Sequence, residues 1–243
     1  MGKGTLSINL NPDPSFSEGT RSLNESNYML TSEYTVQIIN ASNDNVLLEC
    51  KAYELGSYLP KTFDIGSYKI TATYGAEHDA SRDEFFMSGS TVVTLKAKEE
   101  KSVVVNCSPT CGKVSVDFDQ TMATYFDDYN VTFGGTKMLG SSTIAWSKTD
   151  VEPWYIALDK NGENINYTIS LKAKEDYLTQ GNGGTVANGS ATGTFRLERN
   201  KAHKLTIRPS YTPTTDGGLQ LGITIDESTN DKKITYEIPV TWL

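Results

Sequence analysis

Histidine and cysteine are scarce in this chain, with two of one and three of the other in 243 residues. A structural zinc site wants four Cys or His ligands, usually as two close pairs. Only Cys107 and Cys111 lie close together, Cys50 is distant, and His78 and His203 stand far apart. Three cysteines cannot all pair within one chain, which excludes a disulfide scaffold. A thioredoxin-type site needs C-x-x-C at a helix N-terminus; the spacing in "NCSPTCGKVSVDF" is one residue longer, and a strand pattern follows it. Two readings of that pair stay open: a small disulfide worth about 2 kcal/mol in the chain-entropy model, or two free thiols, partly buried. Either way the stretch punctuates the chain.

Basic excess is also missing. Lys and Arg number 22 against 30 Asp and Glu, for a net charge of -8. The densest basic cluster, Lys96 to Lys101, is interrupted by Glu99 and Glu100. Nucleic-acid binding needs a concentrated basic surface, so that class is excluded. No apolar run approaches the roughly 20 residues that cross a bilayer as a helix. The opening "MGKGTLSINL" has no apolar signal-peptide core, and Met1-Gly2 running straight into a strand reads as a sequence trimmed of its export segment.

Catalytic signatures are wanting too. A Ser-His-Asp or Cys-His arrangement requires a histidine held near its nucleophile. His78 lies in the polar connection "GAEHDASRDE" and His203 begins "HKLTIRP"; both read as surface residues. There is no G-x-S-x-G elbow and no H-E-x-x-H, and "GNGGT" lacks the Gly-Lys-Ser/Thr of a phosphate loop. Carboxylates are abundant, and a glycosidase needs only two facing each other across a sugar. Asp117 and Asp119 share the polar face of "VSVDFD", and Asp127 and Asp128 precede "YNVTF". A solvated edge is the plainer reading of Asp117 and Asp119. "DKNGEN" mimics the start of a calcium loop through Asp159, Asn161 and Glu163, but Ser170 stands where the twelfth-position Glu belongs. Asn161-Gly162 between two alternating runs is a hairpin signal instead.

What the chain does have is strand pattern. "EYTVQII" alternates Tyr34, Val36 and Ile38 with Thr35, Gln37 and Ile39; "SYKITATY" does likewise through Tyr68, Ile70, Ala72 and Tyr74. "TVVTLKA" and "SVVVNC" flank the polar tip "KEEK" as a hairpin. "KVSVDF", "YNVTF", "WYIAL", "INYTISL", "TGTFRLE", "HKLTIRPSY", "LQLGITI" and "KITYEIPV" follow, separated by Gly/Asn/Asp turns. Only "QTMATYFDDY" offers a short helical turn. About fourteen such runs imply an all-β chain of sandwiches or barrels. A sandwich takes about 100 residues, and Pro109 and Gly112 interrupt two strand patterns. The expectation is therefore two tandem β-sandwich domains, residues 1–108 and 112–243. Aromatic faces can stack on sugars, and Trp146, in "STIAWSKTD", is the candidate for an exposed platform; its alternative is a loop side chain folded over the core. Trp154 and Trp242 sit in strand runs and read as core. Asn-x-Ser/Thr triplets such as Asn130-Val131-Thr132 read as by-products of polar loops.

The order "GKGTLSINL", "TFDIGSYKITATYG", "FMSGSTVVTLKAKEEKSVVVNC" and "GKVSVDFD…YFDDYNVTF" resembles the fimbrillin-like cell-adhesion lipoproteins of Bacteroidetes, in a subfamily without assigned function. The likeness covers most of residues 4 to 134 and returns at "ITYEIPVTWL". It implies two consecutive transthyretin-like or Ig-like sandwiches, lipid attachment upstream of this sequence, and display on the outer membrane at the cell surface. It implies no cofactor and no catalytic residues. Some members of the broader group are pilin subunits, in which a protease cuts after a basic residue behind the first strand. A neighbouring subunit's strand then fills the groove. Here "TLSINL" carries Leu6, Ile8 and Leu10 on one face. The loop after it holds Arg21, the only basic residue between Lys3 and Lys51. Arg21 is thus a processing-site candidate, or an ordinary exposed arginine in a loop. The expected function is a non-enzymatic adhesin or fimbrial component. Its partners would be other fimbrial subunits, or a protein or glycan on a host or bacterial surface. A glycan-capture lipoprotein of a polysaccharide-uptake system, binding through Trp146, is the alternative, and a carboxylate glycoside hydrolase using Asp117 and Asp119 a third.

Overall fold

Alternating residues dominate the sequence, and strands dominate the fold. The structure is a computed structural model, describing residues 2–16, 23–174, 188–213, 219–229, 232–238 and 241–242. These form strands β1 Lys3–Pro12, β2 Thr35–Asn40, β3 Val46–Lys51, β4 Lys61–Asp64, β5 Gly66–Tyr74, β6 Ala80–Ser81, β7 Met87–Leu95, β8 Glu100–Pro109 and β9 Cys111–Phe118. They continue as β10 Phe126–Gly134, β11 Ile144–Ser147, β12 Trp154–Ala157, β13 Glu163–Ala173, β14 Asn188–Leu197, β15 Ala202–Pro213, β16 Leu219–Thr229, β17 Lys232–Ile238 and β18 Thr241–Trp242. Helix is confined to short turns, among them α1 Leu23–Asn27, α2 Leu55–Tyr58 and α3 Met122–Tyr125, the last inside the expected "QTMATYFDDY". The chain is all-β.

It gathers into two compact units. One comprises Met1–His78 with Asp83–Thr110, and the other Asp79–Arg82 with Cys111–Leu243. The expected boundaries assigned residues 79–82 to the first unit; they pair instead within the second, where β6 adds to β12.

In the first unit, seven strands run in the order β3-β2-β5-β7-β8-β1-β4. β7 and β8 pair only at Met87↔Pro109 and Ser88↔Ser108, then separate, so the sheet folds into two layers. Gly89 sits at this corner because a Cβ there would lie 2.3 Å from the Asn106 carbonyl and 2.7 Å from Cys107 Sγ. Val36, Ile38, Tyr68, Ile70, Ala72 and Leu95 point inward from one layer and Leu6, Phe63 and Val105 from the other. Phe63 and Tyr68 meet across the gap at 5.5 Å between ring centroids. β1 pairs parallel with β8, Thr5↔Glu100 through Pro12↔Cys107, and antiparallel with β4 on its other side. The sequence pattern gave no sign of that parallel pair.

The second unit stacks a five-stranded sheet, β11-β10-β13-β14-β18, and a six-stranded one, β17-β16-β15-β9-β12-β6. Its core draws Val131, Phe133, Trp146, Ile165, Tyr167, Ile169 and Phe195 from the first sheet. Val114, Val116, Ile156, Leu205 and Ile207 come from the second. Again one pair is parallel: β15 runs alongside β9 from Ala202↔Lys113 to Ile207↔Phe118. At Asn161-Gly162 the turn forms, with Gly162 at φ 75° and its N–H donating to the Asp159 carbonyl at 2.9 Å, but the expected hairpin does not: β12 pairs with β9 and β6 in one sheet and β13 with β10 and β14 in the other, so the turn carries the chain from sheet to sheet.

Candidate interaction surfaces

β1 is held as a sandwich strand by pattern and by neighbours. Leu6 is fully buried, and the outward residues are polar: Asn11 Nδ2 donates to Asn106 Oδ1 at 2.8 Å, and Asn9 Nδ2 to Ser102 Oγ at 3.3 Å. Past the strand, the Asp13 amide donates to the Cys107 carbonyl at 2.8 Å. Phe16 then packs edge-on to Phe85, centroids 5.3 Å apart. The chain after α1 returns to the same place. Tyr28 stacks on Phe85 at 4.0 Å and lies 5.0 Å from Tyr74. The Tyr28 hydroxyl accepts the Phe85 amide at 3.0 Å, and the Tyr34 hydroxyl donates to the Tyr28 carbonyl at 2.8 Å. Burial, with Cys107 and the neighbouring tyrosines, raises the Tyr34 phenol well above its ordinary range. The connection between Phe16 and Tyr28 is therefore pinned at both ends by one aromatic cluster. Arg21 belongs to that connection and lies outside the described residues.

Trp146 does not form a platform. It is 1% exposed and packs in the core of the second unit. Strand β11 alternates buried and exposed residues, and Trp146 shares the inward phase with Ile144. A ring with no free face cannot stack on a sugar. The described side chains with exposed rings are Tyr53, 67% exposed, and Tyr58, 46% exposed. They sit on the 3-10 turn Ala52–Glu54 and on α2, which carry the chain from β3 to β4. Glu54 Oε2 accepts the Lys51 amide at 2.9 Å and fixes the start of this crossover. The strand alternation simply stops at "KAYELGSY", which was the only available signal.

His203 is likewise inside, 1% exposed, with its ring parallel to Phe195 at 3.6 Å between centroids. Burial pushes its pKa down to about 4, so the imidazole is neutral at physiological pH. This corrects the expectation of two surface histidines. His78 is at the surface, 2.7 Å from Glu84. Cys50, Cys107 and Cys111 are buried thiols that form no disulfide, and burial lifts the Cys107 thiol to about 11. The free-thiol reading of Cys107 and Cys111 is the one that holds.

The carboxylates are engaged locally. Asp117 Oδ2 lies 3.1 Å from Lys204 Nζ. Asp119 accepts the Thr121 amide and hydroxyl, which together hold its carboxyl below the usual range. Asp128 pairs with Lys148 at 3.7 Å. In "DKNGEN", Glu163 accepts the amides of Lys137 at 2.7 Å and Asp159 at 2.9 Å, so its oxygens tie two loops. Among the described residues no group of three or more His, Cys, Asp or Glu could hold a metal ion, and no helix is long and apolar enough to cross a membrane.

One family model, described as a domain of unknown function (DUF4493), matches residues 2–240. The chain belongs to that family. No curated protein matches it in sequence. Among solved structures it is similar to the fimbrial anchor protein Mfa2 of Porphyromonas gingivalis, at 10% identity and TM-score 0.39, over 93% of this chain and 98% of that one. It is also similar to a Bacteroides eggerthii protein assigned by inference to cell adhesion, at 10% identity and TM-score 0.46, over 94% and 95%. A third, from Bacteroides thetaiotaomicron and assigned by inference to polysaccharide binding, gives 11% identity and TM-score 0.45, over 96% and 98%. Likenesses this distant assign no role to any residue here.

Proposed function

We propose that this chain is a non-enzymatic cell-surface adhesin or fimbrial component, lipid-anchored upstream of the sequence given and working by protein–protein contact. One observation carries the reading. β1 lies between β8 and β4, parallel to one over eight register pairs and antiparallel to the other over four. Withdrawing it would leave two strand edges and the places of Leu6, Ile8 and Leu10 vacant, which is a groove for a neighbouring subunit's strand. Arg21, on the connection pinned by Phe16 and Tyr28, is the proposed processing point. Mild trypsin treatment of the full chain, followed by intact mass and size exclusion, tests this. Cleavage after Arg21, loss of β1 and growth of ladders are expected for a polymerising subunit. A chain that is nicked there yet keeps β1 and stays single would refute polymerisation by strand exchange.

A glycan-contact reading is favoured by one specific feature, the exposed Tyr53 and Tyr58. Exposed phenol rings present an apolar face and a polar tip to a pyranose ring. Tyr53→Ala and Tyr58→Ala should each weaken glycan retention on an array by several-fold, and unchanged retention in both would remove this surface from consideration.

A further inference from the structure

The two ends of the β1 segment are held by different means. At its start the main chain does the holding: the Thr5 amide donates to the Glu99 carbonyl at 2.7 Å, the Lys98 amide to the Lys3 carbonyl at 2.6 Å and the Ile65 amide to the Gly2 carbonyl at 3.0 Å. Leu6 is fully buried there, whereas Ile8 and Leu10 are half-buried. The next large side chain to be buried is Phe16, 4% exposed. Between Leu10 and Phe16 the buried places belong to Pro12 and Pro14, which have no N–H to give to a ladder. The Asp13 amide does reach the Cys107 carbonyl, but the Ser15 amide turns back on Asp13 Oδ1 at 3.1 Å. This end is therefore held chiefly by side chains, and Phe16 is the largest of them.

The seat of Phe16 lies on the far side of the connection. Its ring meets Phe85 edge-on, and Tyr28 stacks on that same Phe85 ring. The seat is braced without Phe16: the Phe85 amide donates to the Tyr28 hydroxyl, the Tyr34 hydroxyl donates to the Tyr28 carbonyl, and Tyr74 packs against Tyr28. A cut anywhere between Phe16 and Leu23 leaves Tyr28, Tyr34, Tyr74 and Phe85 with the body of the unit and puts Phe16 beside the new chain end. We propose that Phe16 is the latch of β1. Fraying starts at chain ends and where few main-chain bonds hold, so after the cut the departure of this ring from Phe85 is the first step of withdrawal. That step, and not the cut itself, sets how long the groove stays filled. The latch rests on the strand-exchange reading and supplies its timing.

The test uses the full chain, cut by trypsin after Arg21 or by a glutamate-specific protease after Glu18, so it does not depend on Arg21 being the natural processing point. Denaturing mass spectrometry times the cut, native mass spectrometry times the loss of the β1 fragment, and size exclusion reads ladders. The cut wild type should keep β1 for a measurable half-life before losing it. Phe16→Ala should shorten that half-life at least tenfold. Phe16→Leu, which stays apolar but loses the ring edge, should fall between them and gives the reading if Phe16→Ala does not fold. Leu6→Ala, at the end that lets go last, should shorten it far less. A wild type that drops β1 as fast as it is cut, or a Leu6→Ala effect equal to that of Phe16→Ala, would overturn the latch and leave the groove standing. Retention of β1 in every variant would sink the latch and the strand-exchange reading together. Prompt loss from Phe16→Ala without ladders would uphold the latch and remove polymerisation.

Discussion

His203 shows what strand phase decides at the level of a single residue. In "HKLTIRP" it occupies the same phase as Leu205 and Ile207, and all three are buried. The phase was legible in the sequence; the residue's polarity outweighed it in the reading, and the structure reverses that weighting. Of the two readings of Trp146, the exposed platform fails and the side chain folded over the core holds, on a four-residue strand whose inward face its step-two neighbour Ile144 marked. Burial of His203 has a consequence that can be measured. Its pKa falls from the ordinary 6.5 to about 4, so the folded state binds this proton less readily than the unfolded chain. The contribution is fully present above about pH 6.5 and is lost as pH falls towards 4, reaching at most about 3 kcal/mol. Urea midpoints at pH 7 and pH 4.5 should therefore drop more for the wild type than for His203→Leu. Equal drops would mean that His203 is not the group being titrated.

Elements were legible where they carried a local pattern and illegible where they depended on a distant partner. The alternating runs from β2, β5, β7, β8 and β13 were read directly, and Asn161-Gly162 announced a turn because only a short list of residues adopts φ near 75° without strain; that the strands it joins belong to different sheets was not legible. β6 is two residues long, too short for any period to register. Its identity comes from β12, more than seventy positions away in the chain. β1 was recognised as a strand, but its parallel pairing with β8 was not, since a parallel pair needs no turn signal between its members. The candidate surfaces divided along the same line. The groove around β1 follows from a visible strand, while the seat of Arg82 draws on residues more than sixty positions away: the Ala145 and Glu152 carbonyls, the Asp150 carboxylate and the rings of Trp146 and Trp154.

At the scale of the whole molecule, the unit boundary and the chain order disagree at one place, and that disagreement can be tested by fluorescence. All three tryptophans, Trp146, Trp154 and Trp242, belong to the second unit, so indole emission reports that unit alone. Leu6 is buried in the first unit, and Leu6→Ala should cost it about 2–5 kcal/mol through lost transfer and a cavity. Arg82 precedes the covalent boundary by almost thirty residues yet braces the second unit, and losing its carbonyl, carboxylate and ring contacts should cost that unit about 2 kcal/mol. Urea unfolding followed by circular dichroism and by tryptophan emission should then separate the two variants. Leu6→Ala should advance a dichroism transition and leave the emission midpoint near the wild-type value. Arg82→Ala should move the emission midpoint, although every residue before it in the chain folds with the other unit apart from Asp79, Ala80 and Ser81. If both variants moved both signals together, the chain would unfold as one cooperative body, and the division at Thr110 and Cys111 would mark a crease within it.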